Sequence, residues 1–74
     1  MNEKTNVIYI TTPYITLGQF LKLSNLITTG GATKQFLASN KIVVDGILET
    51  RRGKKLYPGT VVVFASTAFE IKSK

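Results

Sequence analysis

The chain has 74 residues, ten Lys/Arg against four Asp/Glu, a net charge of +6 and 43% hydrophobic residues. A chain of this length makes one domain with a thin core, because it buries only about 60% of its unfolded surface. Cysteine and histidine are both absent, which excludes disulfide staples, thiolate and imidazole metal sites, cysteine nucleophiles and the usual general base.

The segment from Met1 to Asn6 is polar and carries no secretory signal pattern. The longest strongly apolar run, Val61 to Ala65, is far too short to cross a bilayer. A cytoplasmic location without membrane contact is expected. Val7 to Ile10 is β-branched and aromatic, so it reads as a short first strand stopped by Pro13. Thr16 with Gln19 three residues later forms a capping box. Leu17, Phe20 and Leu21 follow as the apolar face of a helix that ends near Leu23 or Ser24. Gly18 weakens that helix by up to ~1 kcal/mol relative to Ala. Leu26 and Ile27 then drop into the core from the connection.

Thr28-Thr29-Gly30-Gly31 reads as a loop leading into a second helix, about Ala32 to Ser39, with apolar face Ala32, Phe36 and Leu37 and a stop at Asn40. The two helices should pack on one another. Asp45-Gly46 between Ile42-Val43-Val44 and Ile47-Leu48-Glu49 is a hairpin signal. Pro58-Gly59 sets a turn, Thr60 to Ala65 reads as a strand, and Phe69 to Ile71 pairs back with it or with the first strand. The order is β-α-α-β-β-β with a further strand. The fold class is α+β, two short packed helices against a small, mostly antiparallel sheet.

The excess of cations favours a polyanionic partner. Its densest expression is Arg51-Arg52-Gly53-Lys54-Lys55. Like charges so close repel one another, and they make sense opposite a polyanion, with Arg as a planar fork and Lys as a point charge for phosphate. Gly53 is expected to let the backbone turn between the two pairs. The alternative is a solvated loop tip. Thr29-Gly30-Gly31 ahead of a helix offers unobstructed backbone N–H groups to an anion, with Thr29 able to cap or to bond phosphate and Lys34 one turn inside. The alternative there is an ordinary capped helix. Lys22 and Lys41 complete a positive face only if they share a side with the basic run.

Phe20, Phe36 and Phe64 fall on apolar faces and read as core. Tyr57, beside the basic run, could stack on a base, but packing is the favoured role; Tyr9 and Tyr14 are unassigned. No set of aromatics lines one sheet face, which argues against a stacking platform of the RRM type. The acidic residues are Glu3, Asp45, Glu49 and Glu70. None pair at a spacing useful for acid–base work or Mg²⁺. Gly30-Gly31 lacks the spacing and the ending of a P-loop. No enzyme activity, cofactor, metal or small-molecule substrate is expected.

From Thr16 to Phe64 the chain resembles the RNA-binding domain named after small-subunit ribosomal protein S-four, the αL motif. The residues that carry the likeness are Leu17-Gly18-Gln19-Phe20-Leu21-Lys22, Thr29-Gly30-Gly31-Ala32-Thr33-Lys34, Lys41-Ile42-Val43-Val44-Asp45-Gly46, Glu49 to Leu56, and Pro58-Gly59-Thr60-Val61. The Gly-Gly-x-x-Lys start of helix two and the Glu49–Lys55 run look like the small stand-alone YaaA/YbcJ branch. The resemblance implies a single domain over residues 1–74 that binds RNA without catalysis, through Lys22, Thr29, Gly30, Gly31, Lys34 and Lys41, with Arg51, Arg52, Lys54 and Lys55 flanking them. It implies structured RNA as the partner, ribosomal or other non-coding RNA, and a role in ribosome assembly. Two departures bear on this. Many members have Arg where this chain has Thr16, and Ser-Arg where it has Thr29-Gly30, which shifts the weight toward Arg51–Lys55. The competing class is an adaptor for an acidic protein or a DNA-associated accessory factor. On the RNA reading, Arg51→Ala with Arg52→Ala weakens binding and leaves the melting temperature nearly unchanged. Oligomeric state is not legible.

Overall fold

The computed structural model describes residues 4–74. Met1 to Glu3, and with them the acidic Glu3, lie outside the described residues. The elements run β1 (Lys4–Ile10), β2 (Ile15–Thr16), α1 (Leu17–Leu23), a 3₁₀ turn (Gly30–Ala32), α2 (Thr33–Ser39), β3 (Ile42–Val44), β4 (Ile47–Glu49), β5 (Lys55–Leu56), β6 (Val61–Phe64) and β7 (Thr67–Ser73). This is the α+β class read from the sequence, with β1 longer than expected and with two short strands, β2 and β5, that were not expected.

The five-stranded sheet has the order β1-β7-β6-β3-β4. β1 and β7 are parallel and every other neighbouring pair is antiparallel. β7 therefore pairs with both candidates named for it, β6 and β1. Its place inside the sheet buries Phe69 and Ile71. Phe69 meets Phe20 edge-on, with ring centroids 5.2 Å apart, a favourable aromatic geometry. The expected core of Phe20, Phe36 and Phe64 is thus refined. Phe20 is fully buried and Phe69 joins it, whereas Phe36 and Phe64 are half-buried and pack on each other at 5.3 Å.

α1 begins as its pattern requires. The Thr16 hydroxyl accepts from the Gln19 N–H, and the Gln19 side chain accepts from the Thr16 N–H at 2.9 Å. Leu17, Phe20 and Leu21 are fully buried. The helix ends at Leu23 with Asn25 in the left-handed region (φ 63°). The Leu26 N–H reaches back to the Leu21 carbonyl and the Asn25 N–H to the Lys22 carbonyl, the paired bonds of a Schellman motif. That stop delivers Ile27 into the core, while Leu26 packs against it half-exposed.

The start of α2 differs from expectation. Gly30–Ala32 winds as a 3₁₀ turn, in which the Ala32 N–H bonds the Thr29 carbonyl at 3.2 Å and the Thr33 N–H bonds the Gly30 carbonyl. The Thr29 side chain makes no cap hydrogen bond. Two of the amides that a bare helix start would leave free are therefore already engaged. The buried residues of α2 are Thr33 and Leu37. Ala32 and Phe36 are half-buried.

Asp45-Gly46 joins β3 to β4 with both residues at positive φ (49° and 84°), the type I′ turn that the Asp-Gly pair predicts. Asp45 also ties the hairpin to β6. Its N–H donates to the Val61 carbonyl at 2.8 Å, and its Oδ1 accepts from the Val61 N–H at 2.9 Å. At Pro58-Gly59 the Thr60 N–H bonds the Tyr57 carbonyl at 2.9 Å, and Gly59 has φ 98°, a type II turn.

Candidate functional site

The basic run is anchored by its backbone. The Lys54 carbonyl accepts the Leu17 N–H at 2.8 Å, and the Arg52 carbonyl accepts the Gly18 N–H at 2.9 Å. These N–H groups open α1 and have no partner within the helix, so the loop caps the helix and the helix holds the loop. The Lys54 N–H closes the turn onto the Arg51 carbonyl at 3.2 Å, without a left-handed residue. Gly53 is therefore not needed for its φ. At Gly18 a Cβ would sit 3.4 Å from the Thr33 Cγ2 and 3.5 Å from the Arg52 carbonyl oxygen, ordinary van der Waals distances that leave room for a methyl. Carbonyls turned toward the helix leave the side chains of the run toward solvent, where Arg51, Arg52 and Lys55 are exposed and Lys54 is half-buried.

Arg52 lies at the centre of the resulting surface. It lines one depression with Lys22, Gly30 and Thr33, and a neighbouring one with Lys34, Leu37 and Thr50. Gly53 connects the first of these to a third depression formed with Arg51, Lys54, Lys55 and Tyr57. Lys22 and Gly30, then Lys34, then Arg51, Lys54 and Lys55 thus line three depressions linked through Arg52 and Gly53, and among the described residues no acidic residue lines any of the three. Thr29, Gly31 and Lys41 line none of them.

Arg51 is not equivalent to the other cations. Its Nε donates to Glu49 Oε2 at 3.0 Å, and its backbone N–H donates to the same oxygen at 3.0 Å. The side-chain bond from Arg51, followed by the backbone bond, holds the Glu49 carboxyl below its ordinary range. The same bond raises the Arg51 guanidinium. Arg51 remains largely exposed, but half of its fork is committed, and the pairing offsets its charge. Arg51 is therefore a paired cation within the run.

Tyr57 is half-exposed, at 50%, and it packs on the surface, not in the core. Its ring lies 5.7 Å from that of Tyr14, and the Lys55 ammonium stands 5.1 Å from the Tyr14 centroid, within cation–π range. Tyr14 carried no recognisable signal in the sequence, because the β2–β5 pairing that brings it to Tyr57 joins segments about forty residues apart.

The sequence profile of the S4 domain family matches residues 8–72. The chain belongs to this family. It is 51% identical over 57 residues to the probable ribosome maturation protein RlbA of Bacillus subtilis (strain 168), covering 77% of this chain and 80% of that protein. It is 32% identical over 59 residues to the putative RNA-binding protein YbcJ of Escherichia coli (strain K12), covering 80% of this chain and 84% of that one. The S4 match is wider than the Thr16–Phe64 stretch that carried the resemblance, and it takes in the last three residues of β1 and all of β7 but Ser73, segments that hold no motif of their own. Thr16, directly before α1, is consumed by the capping box.

Proposed function

We propose that this S4 domain binds structured RNA without catalysis, its cations contacting phosphates and its surface following RNA shape more than base sequence. The observation that carries this reading is that Arg52 shares one depression with Lys22 and another with Lys34, neither lined by an acidic residue among the described residues. Lys54 and Lys55 extend the same surface beyond Gly53. A single strand of phosphates can touch cations from α1, α2 and the basic turn at once, which a solvated loop tip would not offer. The amides at the start of α2 have a smaller part than the sequence suggested, since the 3₁₀ turn engages two of them. Lys41, Thr29 and Gly31 fall outside the proposed contact surface.

The names of the relatives, a ribosome maturation protein and a putative RNA-binding protein, support ribosomal RNA as the partner and ribosome maturation as the setting. Two measurements test this. Binding to a ribosomal RNA fragment, titrated with salt, should give a log–log slope of roughly −3 if four phosphates are neutralised. A slope near zero would instead indicate a mainly apolar protein partner. Co-sedimentation with ribosomal particles should be lost after RNase; pelleting unchanged by RNase would overturn the proposal.

A further inference from the structure

We propose, resting on the RNA reading above, that Tyr14 and Tyr57 form a stacking site for an unpaired base of the same RNA strand whose phosphates lie on Lys54 and Lys55. The alternation of the β2–β5 ladder creates the site. Ile15 pairs with Leu56 and Thr16 with Lys55. Ile15 and Leu56 turn inward and are buried. Their neighbours Tyr14, Tyr57 and Lys55 must then turn outward, because successive side chains of a strand point to opposite faces.

Both rings are left open to water, Tyr14 at 38% and Tyr57 at 50% exposure, while Phe20 and Phe69 are buried. The backbone beneath Tyr57 is fixed. Its N–H donates to Thr60 Oγ1 at 3.1 Å, and its carbonyl accepts the Thr60 N–H at 2.9 Å. A half-exposed aromatic on a fixed backbone loses little freedom on binding, which favours stacking.

The surroundings choose the ligand. Tyr57 lines the same depression as Arg51, Lys54 and Lys55, so an aromatic face adjoins positive charge within one concavity. A nucleotide carries the matching pair of features, an anion and a π-face. Aromatic stacking next to a cationic track is how proteins hold unpaired bases without reading their sequence. An apolar protein segment would match the rings but would offer no anion to Lys54 and Lys55.

The test compares two labelled RNAs, a hairpin with an unpaired loop and a blunt duplex of the same stem, by fluorescence anisotropy. Tyr57→Leu and Tyr14→Leu should weaken hairpin binding by an order of magnitude or so and leave duplex binding nearly unchanged, while Tyr57→Phe should bind both like the parent chain. If Tyr57→Leu binds the hairpin as the parent does while Lys54→Ala with Lys55→Ala weakens both RNAs, stacking is wrong and the RNA reading stands. If Tyr57→Leu weakens both RNAs alike, the ring supports the basic turn and the stacking site is refuted. If the parent chain binds neither RNA, both readings fall.

Discussion

The carbonyl of Arg52 accepts the Gly18 N–H at 2.9 Å, so the residue at the centre of the cationic surface is fixed to the first turn of α1. A Cβ at position 18 would already stand at van der Waals distance from Thr33 and the Arg52 carbonyl. Gly18→Ala should fit and leave the melting temperature unchanged or raised, because Ala is the better helix former by up to ~1 kcal/mol. Gly18→Val should push Arg52 away, lowering the melting temperature and weakening RNA binding together. Thermal melts and anisotropy on both variants decide this.

Arg51 and Arg52 should separate on mutation. Arg52→Ala should weaken RNA binding, lower the magnitude of the salt slope by about one, and leave the melting temperature nearly unchanged. Arg51→Ala should lower the melting temperature, because it strips the partner from the poorly exposed Glu49 carboxylate. Equal melting temperatures for the two variants would remove the structural role assigned to Arg51. The double change read from the sequence therefore mixes two different effects.

Glu49 should give the fold an acid sensitivity. Its folded-state pKa is depressed by the hydrogen bonds from Arg51 below the ordinary value of 4.5. The ion pair therefore stabilises the fold fully above that value, and its contribution is lost as pH falls through the depressed folded-state pKa. The melting temperature should decline as pH drops below about 4.5. Glu49→Gln should flatten that decline, as melts across an acid pH series would reveal.

Asp45 supplies both a left-handed turn residue and a clamp on Val61. Asp45→Asn should be tolerated, because Asn adopts the same φ and can accept the same bond. Asp45→Ala should cost on the order of 1–2 kcal/mol from the left-handed strain and the lost hydrogen bond. Denaturant melts that place the two variants together would refute this division.

The β6–β7 hairpin is stored strain. Ala65 and Ser66 occupy φ values of 53° and 67° between Phe64 and Thr67, the geometry of a type I′ turn that Asn-Gly adopts far more readily. Ala65→Asn with Ser66→Gly should stabilise the domain by about 1 kcal/mol, or roughly 4–8 °C in melting temperature. No gain on melting would mean that another interaction holds that turn.

Features with local causes were legible along the chain. The capping box at Thr16 and Gln19, the Asp45-Gly46 turn, the Pro58-Gly59 turn and the buried stripe of α1 each depend on residues a few positions apart, so their patterns are visible on the chain. The type I′ turn at Ala65-Ser66 was invisible because neither residue favours it, and the β6–β7 pairing imposes it. The surface emerges on folding: Arg52 shares depressions with Lys22 and with Lys34, Glu49 takes part of the charge of Arg51, and Tyr14 meets Tyr57. Those relationships depend on where α1, α2 and the β2–β5 ladder cross in space, and side-chain chemistry read along a line carries no measure of that distance.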